Sequence, residues 1–353
     1  MSRIKGVSLF ANVGIAETYM QTQGIEIVVA NELMQKRVAF YKELYPSCDM
    51  VQGDITDDEI FNSILAKAQQ HKCDFLIATP PCQGMSLAGK MREDDPRNSL
   101  IKYAVKMVQK LQPSNVLIEN VPKVLNTYLV HKKKKIKITD FIKSELEPLG
   151  YIINPVVVDA ANYGTPQSRK RAIYLISKLQ KWLPPQKQKK ITVREAIGDL
   201  PSLESGQSSN IEYHYAKKHN ERHISFLRHT PTGKSALHNK VHYPKKEDGT
   251  RIKGYDTTYK RIEWDKPSPT ITMANGSVSS QNNVHPGRRL EDGTYSDARV
   301  LTLKEIFILS GLPDRWQPPK WAKENLIREV IGEGVPPKLV EALLSVMPKK
   351  IFV

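Results

Sequence analysis

Cysteine is scarce in this 353-residue chain, with only Cys48, Cys73 and Cys82. An odd number at irregular spacings excludes a disulfide framework and a zinc knuckle, and suits a reducing compartment in which one thiol can work chemically. Long apolar runs are missing too: no stretch approaches the ~18 apolar residues of a membrane span. The first residues, Met1 to Gly6, run straight into a strand-like segment without an apolar region or a small-residue cleavage site, so a cytoplasmic chain is expected. Aromatic residues make up 7% and acidic residues are outnumbered, 37 Asp and Glu against 53 Lys and Arg, for a net charge of +16. That sign favours a polyanionic partner without identifying one. No internal repeat, heptad run or low-complexity tract is present.

The first half alternates short apolar runs (residues 7–10, 25–30, 75–78, 116–118, 152–158 and 172–176) with segments of helical spacing at 57–70 and 100–111. That rhythm predicts a doubly wound α/β sheet, whose ligands sit beyond the carboxyl ends of its strands. Residues 181–190, with Pro184-Pro185 and four lysines, read as a connector. Between 202 and 299 the texture becomes loop-rich. Seven of the nine histidines fall there, with no cysteine and no ligand spacing, so no metal is expected. The tetralysine run 132–135 reads as a solvated loop, with a phosphate contact as the alternative. At the end, Pro336-Pro337 introduces an apolar helical face that is expected to return to the first domain and make the second an insertion.

Two strand ends carry chemistry. The run 74–79 leads through Pro80-Pro81 to Cys82, Gln83 and Gly84, a stiffened backbone that presents a thiol at the sheet edge. An inert buried thiol is the bland alternative, and Cys73 fits it better. The run 116–118 ends in Glu119-Asn120-Val121; Glu119 alone could serve as a helix cap. Together a thiol and an acid suit one reaction. Thiolate attack at C6 of a pyrimidine makes C5 nucleophilic, while a carboxyl group at N3 stabilises the charge that develops.

These residues resemble the cytosine-C5 DNA methyltransferases of the bacterial restriction-modification type, over nearly the whole chain and in that family's motif order. The resemblance implies a Rossmann-like S-adenosylmethionine-dependent methyltransferase domain at 1–190, completed by 320–353. A smaller loop-rich target recognition domain with its hinge would occupy 191–319. It implies Cys82 as nucleophile and Glu119 as the acid. Gln167-Ser168-Arg169-Lys170-Arg171 is similar to the strand whose arginines, Arg169 and Arg171, hold the catalytic loop and the target cytosine. The segment 194–201 resembles the entry to the recognition domain, Pro269-Thr270-Ile271-Thr272 its short internal motif, and 299–313 its exit hinge. For S-adenosylmethionine it implies Phe10, Ala11, Asn12, Gly14 and Ile15 after the first strand, Glu32 for the ribose, Asp54 and Ile55 for the adenine, Pro80, and the terminal motif Glu333, Gly334 and Val335. Asn12 and Ile15 stand where the family has glycine, and Glu333 where it has asparagine. Ile15 therefore brings a branched side chain to the cofactor turn.

The implied substrate is double-stranded DNA, read in the major groove by the second domain, with the target cytosine swung out of the stack. Gln83, Ser86, Arg97 and Thr270 are candidates for DNA contacts. A monomer working independently of a cognate restriction endonuclease is expected, with no membrane association. The alternatives are a transfer-RNA cytosine-C5 methyltransferase, whose Cys-Phe-Thr motif is missing, and a methyltransferase-fold protein that binds DNA with a weakened donor site.

Overall fold

The computed structural model describes residues 3–81 and 99–350. Its contacts divide the chain into two compact units: residues 1–159, 170–187 and 337–353, and residues 160–169 with 188–336. The expected edges at 190/191 and 319/320 run near this division without following it, since 320–336 lie with the second unit.

The first unit is built on a seven-stranded sheet. Its strands in chain order are β1 (Ile4–Leu9), β2 (Ile25–Glu32), β3 (Asp49–Gln52), β4 (Phe75–Ala78) and β5 (Asn115–Asn120), then β8 (Ile152–Asp159) and β9 (Lys170–Ser177). A separate hairpin pairs β6 (Tyr128–His131) with β7 (Lys134–Lys137). The sheet order is β3-β2-β1-β4-β5-β9-β8. The first five strands are parallel; β9 runs antiparallel to both β5 and β8. Strand order therefore reverses between β1 and β4, where a doubly wound sheet opens a crevice at its carboxyl edge.

Parallel strands buried on both faces read as continuous apolar runs. Leu76, Ala78, Val116, Ile118, Tyr174 and Ile176 point into a core formed with the helices α2 (Asp58–Gln70), α3 (Ile101–Leu111) and α4 (Ile138–Leu146). The alternate residues Phe75, Ile77, Leu117, Ile173 and Leu175 point the other way and are buried as well. With both faces covered, the sheet is the expected doubly wound α/β arrangement. A smaller cluster joins Val38 and Tyr41 of α1 (Gln35–Leu44) to Ala11, Ala30 and Met50. Asp57 caps α2 by accepting from the N–H groups of Glu59 and Ile60.

The hairpin replaces the solvated loop read at residues 132–135. Lys132 and Lys133 form its tip, both with left-handed φ (48° and 62°), and Lys134 and Lys135 begin the return strand.

The second unit has little regular structure: α5 (Val193–Ile197), α6 (Glu221–Arg228), α7 (Leu303–Leu309) and α8 (Glu324–Glu333), with turns and isolated bridges between them. Buried arginines hold it together. The Arg261 guanidinium donates to the carbonyls of Leu227, His285, Ser296 and Asp297. Arg299 makes a two-pronged pair with Glu305 and a further bond to Asp297. The histidines serve local structure: His214 bonds Thr302 and the Pro201 carbonyl, His219 accepts from the Val300 N–H, and His229 stacks on His242 at 3.5 Å.

The last helix, α9 (Pro337–Ser345), belongs to the first unit. Its Leu343 carbonyl accepts from the Trp182 indole, Glu341 accepts from Thr22, and Lys338 lies 3.9 Å over the Tyr19 ring. Among the described residues no helix is long and apolar enough to cross a membrane.

Candidate active site

The carboxyl edge of the first unit gathers most of the expected side chains. After β1 the chain turns sharply through Phe10 (φ 58°), Asn12 (φ 52°) and Gly14 (φ 77°). Left-handed backbone is cheap for glycine and tolerable for asparagine, so Asn12 keeps the turn in spite of its departure from the glycine pattern. Gly14 has a second constraint, since a Cβ there would lie 2.3 Å from the Tyr45 ring, whose hydroxyl donates to the Gly14 carbonyl at 2.7 Å. Ile15 opens a 3-10 helix, Ile15–Glu17, and its side chain is 2% exposed. The branched group is thus buried rather than standing at the surface of the turn.

Glu32 closes β2 with a buried carboxylate. One oxygen accepts from the Asn12 N–H at 2.9 Å; the other accepts from Leu33 and Met34, each at 3.0 Å. A carboxylate has about four acceptor positions, so three N–H donors leave one for a hydroxyl. Asp54, beyond β3, is exposed and accepts from the Thr56 N–H at 2.9 Å, while Ile55 is buried. Between them stands Asn31, whose amide donates to the carbonyls of Val51 (3.0 Å) and Gly53 (3.1 Å) and so fixes the turn carrying Asp54.

At the switch point, β1 and β4 are tied past their ends: the Thr79 hydroxyl donates to the Phe10 carbonyl at 2.9 Å. On the other side, the Asn120 amide donates to the Pro80 carbonyl at 3.1 Å. The exit of β4 is therefore held from both neighbouring strands, at Thr79 from the β1 side and at Pro80 from the β5 side. Cys82, Gln83, Ser86 and Arg97 themselves lie outside the described residues.

Glu119, on β5, is 7% exposed. Its Oε1 is 2.6 Å from Nε of Arg171, which enters β9 on the adjacent antiparallel strand. Antiparallel pairing is what permits this contact: β9 starts where β5 ends, so Arg171 lies at the same edge as the acid.

Arg169, two residues earlier, belongs to the second unit and is placed differently. Buried at 3% exposure, it donates to the carbonyls of Ile271, Gly332 and Glu333. Thr270 donates to the Ser168 carbonyl at 2.8 Å. Gln167 completes the arrangement, accepting from the Ile271 N–H at 3.2 Å. A Cβ on Gly332 would come within 2.4 Å of the Thr272 backbone, so this helix end packs on the 269–272 segment through glycine. Glu333 ends α8, Gly334 caps it and Val335 is buried.

Asn31, Thr79 and Asn120 were not singled out by sequence. Each stands at or just past a strand end, but neither its burial nor its backbone carbonyl partner is written in the sequence.

Residues 4–349 match the family described as C-5 cytosine-specific DNA methylase. The Type II methyltransferase M1.HgaI of Avibacterium volantium is 50% identical over 344 residues, 96% of each chain. The Type II methyltransferase M1.HphI of Haemophilus parahaemolyticus is 28% identical over 352 residues, 97% of this chain and 86% of its own. Among solved structures, a DNMT2 variant from Spodoptera frugiperda superimposes with a TM-score of 0.66 at 15% identity, covering 98% of this chain and 99% of its own. The Entamoeba histolytica methyltransferase EhMeth gives 0.64 at 13%, covering 98% of each. At such identities these two speak for the fold alone. The match across nearly the full length, and the identity with M1.HgaI over almost all of both chains, place this chain in the C-5 cytosine-specific DNA methylases: it is a cytosine-C5 DNA methyltransferase.

Proposed function

We propose that the enzyme methylates C5 of one cytosine within a specific double-stranded DNA sequence, through a transient bond between the Cys82 sulfur and C6 of a base swung out of the helix. The relatives named Type II methyltransferases support a place in a restriction-modification system. The observation that carries the chemical reading is the pair Glu119 and Arg171, 2.6 Å apart at the sheet edge, beside a β4 whose exit is hydrogen-bonded at Thr79 and Pro80 to the chain leaving β1 and β5.

The Cys82 thiolate adds to C6 and moves electron density onto C5. Glu119 holds a proton at N3, and Arg171 fixes the direction of that carboxyl group. Once C5 has gained the methyl group, its proton passes to a base and the C6–S bond breaks, so that the C5–C6 double bond re-forms and the thiolate is released. Extrusion of the base costs a few kcal/mol, offset by contacts to the flipped base and to the DNA around it.

The donor set fits S-adenosylmethionine. Glu32 retains an acceptor position for a ribose hydroxyl, Asp54 exposes a carboxylate toward an amine donor, and the turn through Phe10, Ala11, Asn12 and Gly14 brings backbone to the same edge, with Ile55 and Pro80 alongside. When bound, this cofactor supplies the methyl group on a sulfonium centre. Enclosure of Ile15 by the protein removes one reason for reading the chain as a DNA binder with a weakened donor site.

Duplex DNA carrying 5-fluorocytosine tests the covalent step, because fluorine at C5 cannot leave as a proton does. Wild type should form an adduct that survives denaturing electrophoresis, and Cys82→Ser should form none. Methyl transfer by Cys82→Ser at the wild-type rate would refute the mechanism.

A further inference from the structure

We propose that the lysine hairpin of β6 and β7 grips the phosphate backbone of the DNA substrate without reading its sequence. The hairpin presents Lys132, Lys133, Lys134, Lys135 and Lys137, all exposed. Among the described residues Lys133 and Lys134 have no ion-pair partner, and Lys132 has only the Glu145 carboxylate at 4.0 Å.

Its tip is chemically odd. Both central residues of the two-residue turn are left-handed, the pattern of a type I′ turn, for which Asn-Gly is the favoured pair. A long side chain there costs stability at each position. Two lysines are thus kept where folding alone favours other residues, which points to a use for their charge.

The location suits that use. The hairpin follows the end of β5, which carries Glu119, after the short 3-10 helix Pro122–Asn126, and it precedes α4. Lys102, in the first turn of α3, donates to the Val130 carbonyl at 2.5 Å. Helices that follow parallel strands begin at the carboxyl edge, so the hairpin stands at the edge where the acid lies. It is a fixed platform: Leu129 is buried, Ile136 packs on the main core, and the Ile138 N–H closes its base on the Thr127 carbonyl at 2.9 Å. Lysine is a hydrated point charge without the planar, paired groups that discriminate bases, so phosphate rather than base edges is the fitting ligand.

The inference rests on duplex DNA as substrate. The test is Lys132→Asn/Lys133→Gly, which installs the favoured turn and removes two charges. Thermal stability should hold or rise, while affinity for target and non-target duplexes falls by the same factor, on the order of tenfold near ~0.1 M salt. The slope of log K against log salt should shrink by about 2. Lys132→Arg/Lys133→Arg should keep wild-type affinity. Unchanged affinity and slope in the Asn/Gly variant, or a loss confined to target DNA, overturns the proposal. Wild type that fails to bind duplex DNA at all overturns the substrate assignment with it.

Discussion

The Glu119 and Arg171 pair defines what a single residue can do at this site. An arginine 2.6 Å from a buried carboxyl group restricts the directions that group can face, so Arg171 is a positioning residue that acts through Glu119. Glu119→Gln should lower kcat/KM by roughly 10²- to 10⁴-fold, the usual range for a lost acid–base group, with DNA affinity little changed. Arg171→Lys keeps the charge but not the planar geometry, and should cost less. The informative measurement is the double variant. If Arg171 acts through the carboxyl group, the two losses do not add, and Arg171→Lys costs almost nothing once Glu119 is Gln. Losses that multiply would mean that Arg171 touches the DNA or the base directly.

At the scale of elements, the carboxyl edge depends on amides that bind backbone carbonyls. Asn31 is the clearest case, since its amide adds two side-chain bonds to the single backbone bond, Gly53 N–H to the Glu32 carbonyl, that joins the end of β2 to the Gly53-Asp54 turn. Asn31→Ala leaves two carbonyls without their donor and should lower stability in urea titration by about 2 kcal/mol, the scale of buried polar groups left unpaired. Because the turn carries Asp54, S-adenosylmethionine affinity measured by calorimetry should fall roughly tenfold, equivalent to about 1.4 kcal/mol. Reduced stability with unchanged cofactor affinity would make Asn31 purely structural. The same physics decides what was legible in the sequence. Glu32 and Glu119 were, because a charged residue ending an apolar strand stands out. Asn31, Thr79 and Asn120 were not, because carbonyl partners leave no trace in a sequence. β4 was read to the residue from four apolar positions. α1 does not stand out in the sequence because its buried face, Arg37, Val38, Phe40 and Tyr41, includes an arginine and spans little more than one turn, too short for a repeat to show. β3 offers only Met50 and Val51 between polar ends. The hairpin was hidden by lysines at positions where asparagine and glycine normally announce a turn. The loop-rich character of the second unit could be read; the buried arginines that organise it could not, since charged residues in a polar stretch read as surface.

For the whole molecule, the two units carry buried ionisable groups of opposite pH response. In the first unit, burial pushes the Glu17 carboxyl up to about 7, against the lowering effect of hydrogen bonds from Ser8 and Tyr41. A carboxyl group raised in the folded state favours folding while it is protonated. Its contribution is complete below about 4.5 and disappears as pH rises toward about 7, an effect on the order of 3 kcal/mol. In the second unit, burial brings His285 down to about 3, with the Arg299 charge adding to the effect. Burial alone would raise Glu305, but the charge and hydrogen bonds of Arg299 outweigh it and bring it to about 2. Burial would raise Asp297 as well, but the neighbouring His285 and Arg299 and hydrogen bonds from Ser202 and Ser296 hold it well below the carboxylate range. Groups lowered in the folded state contribute above their unfolded values and lose that contribution as pH falls: His285 from about 6.5 downward, the two acids from about 4 downward. Scanning calorimetry at pH 7.5 and pH 4.5 should therefore show the first unit's transition moving up on acidification and the second unit's moving down. Glu17→Gln identifies the first of these, because it should abolish that upward shift and leave the other transition alone. If both transitions move the same way, or if Glu17→Gln leaves the upward shift intact, the pH response resides in groups other than these.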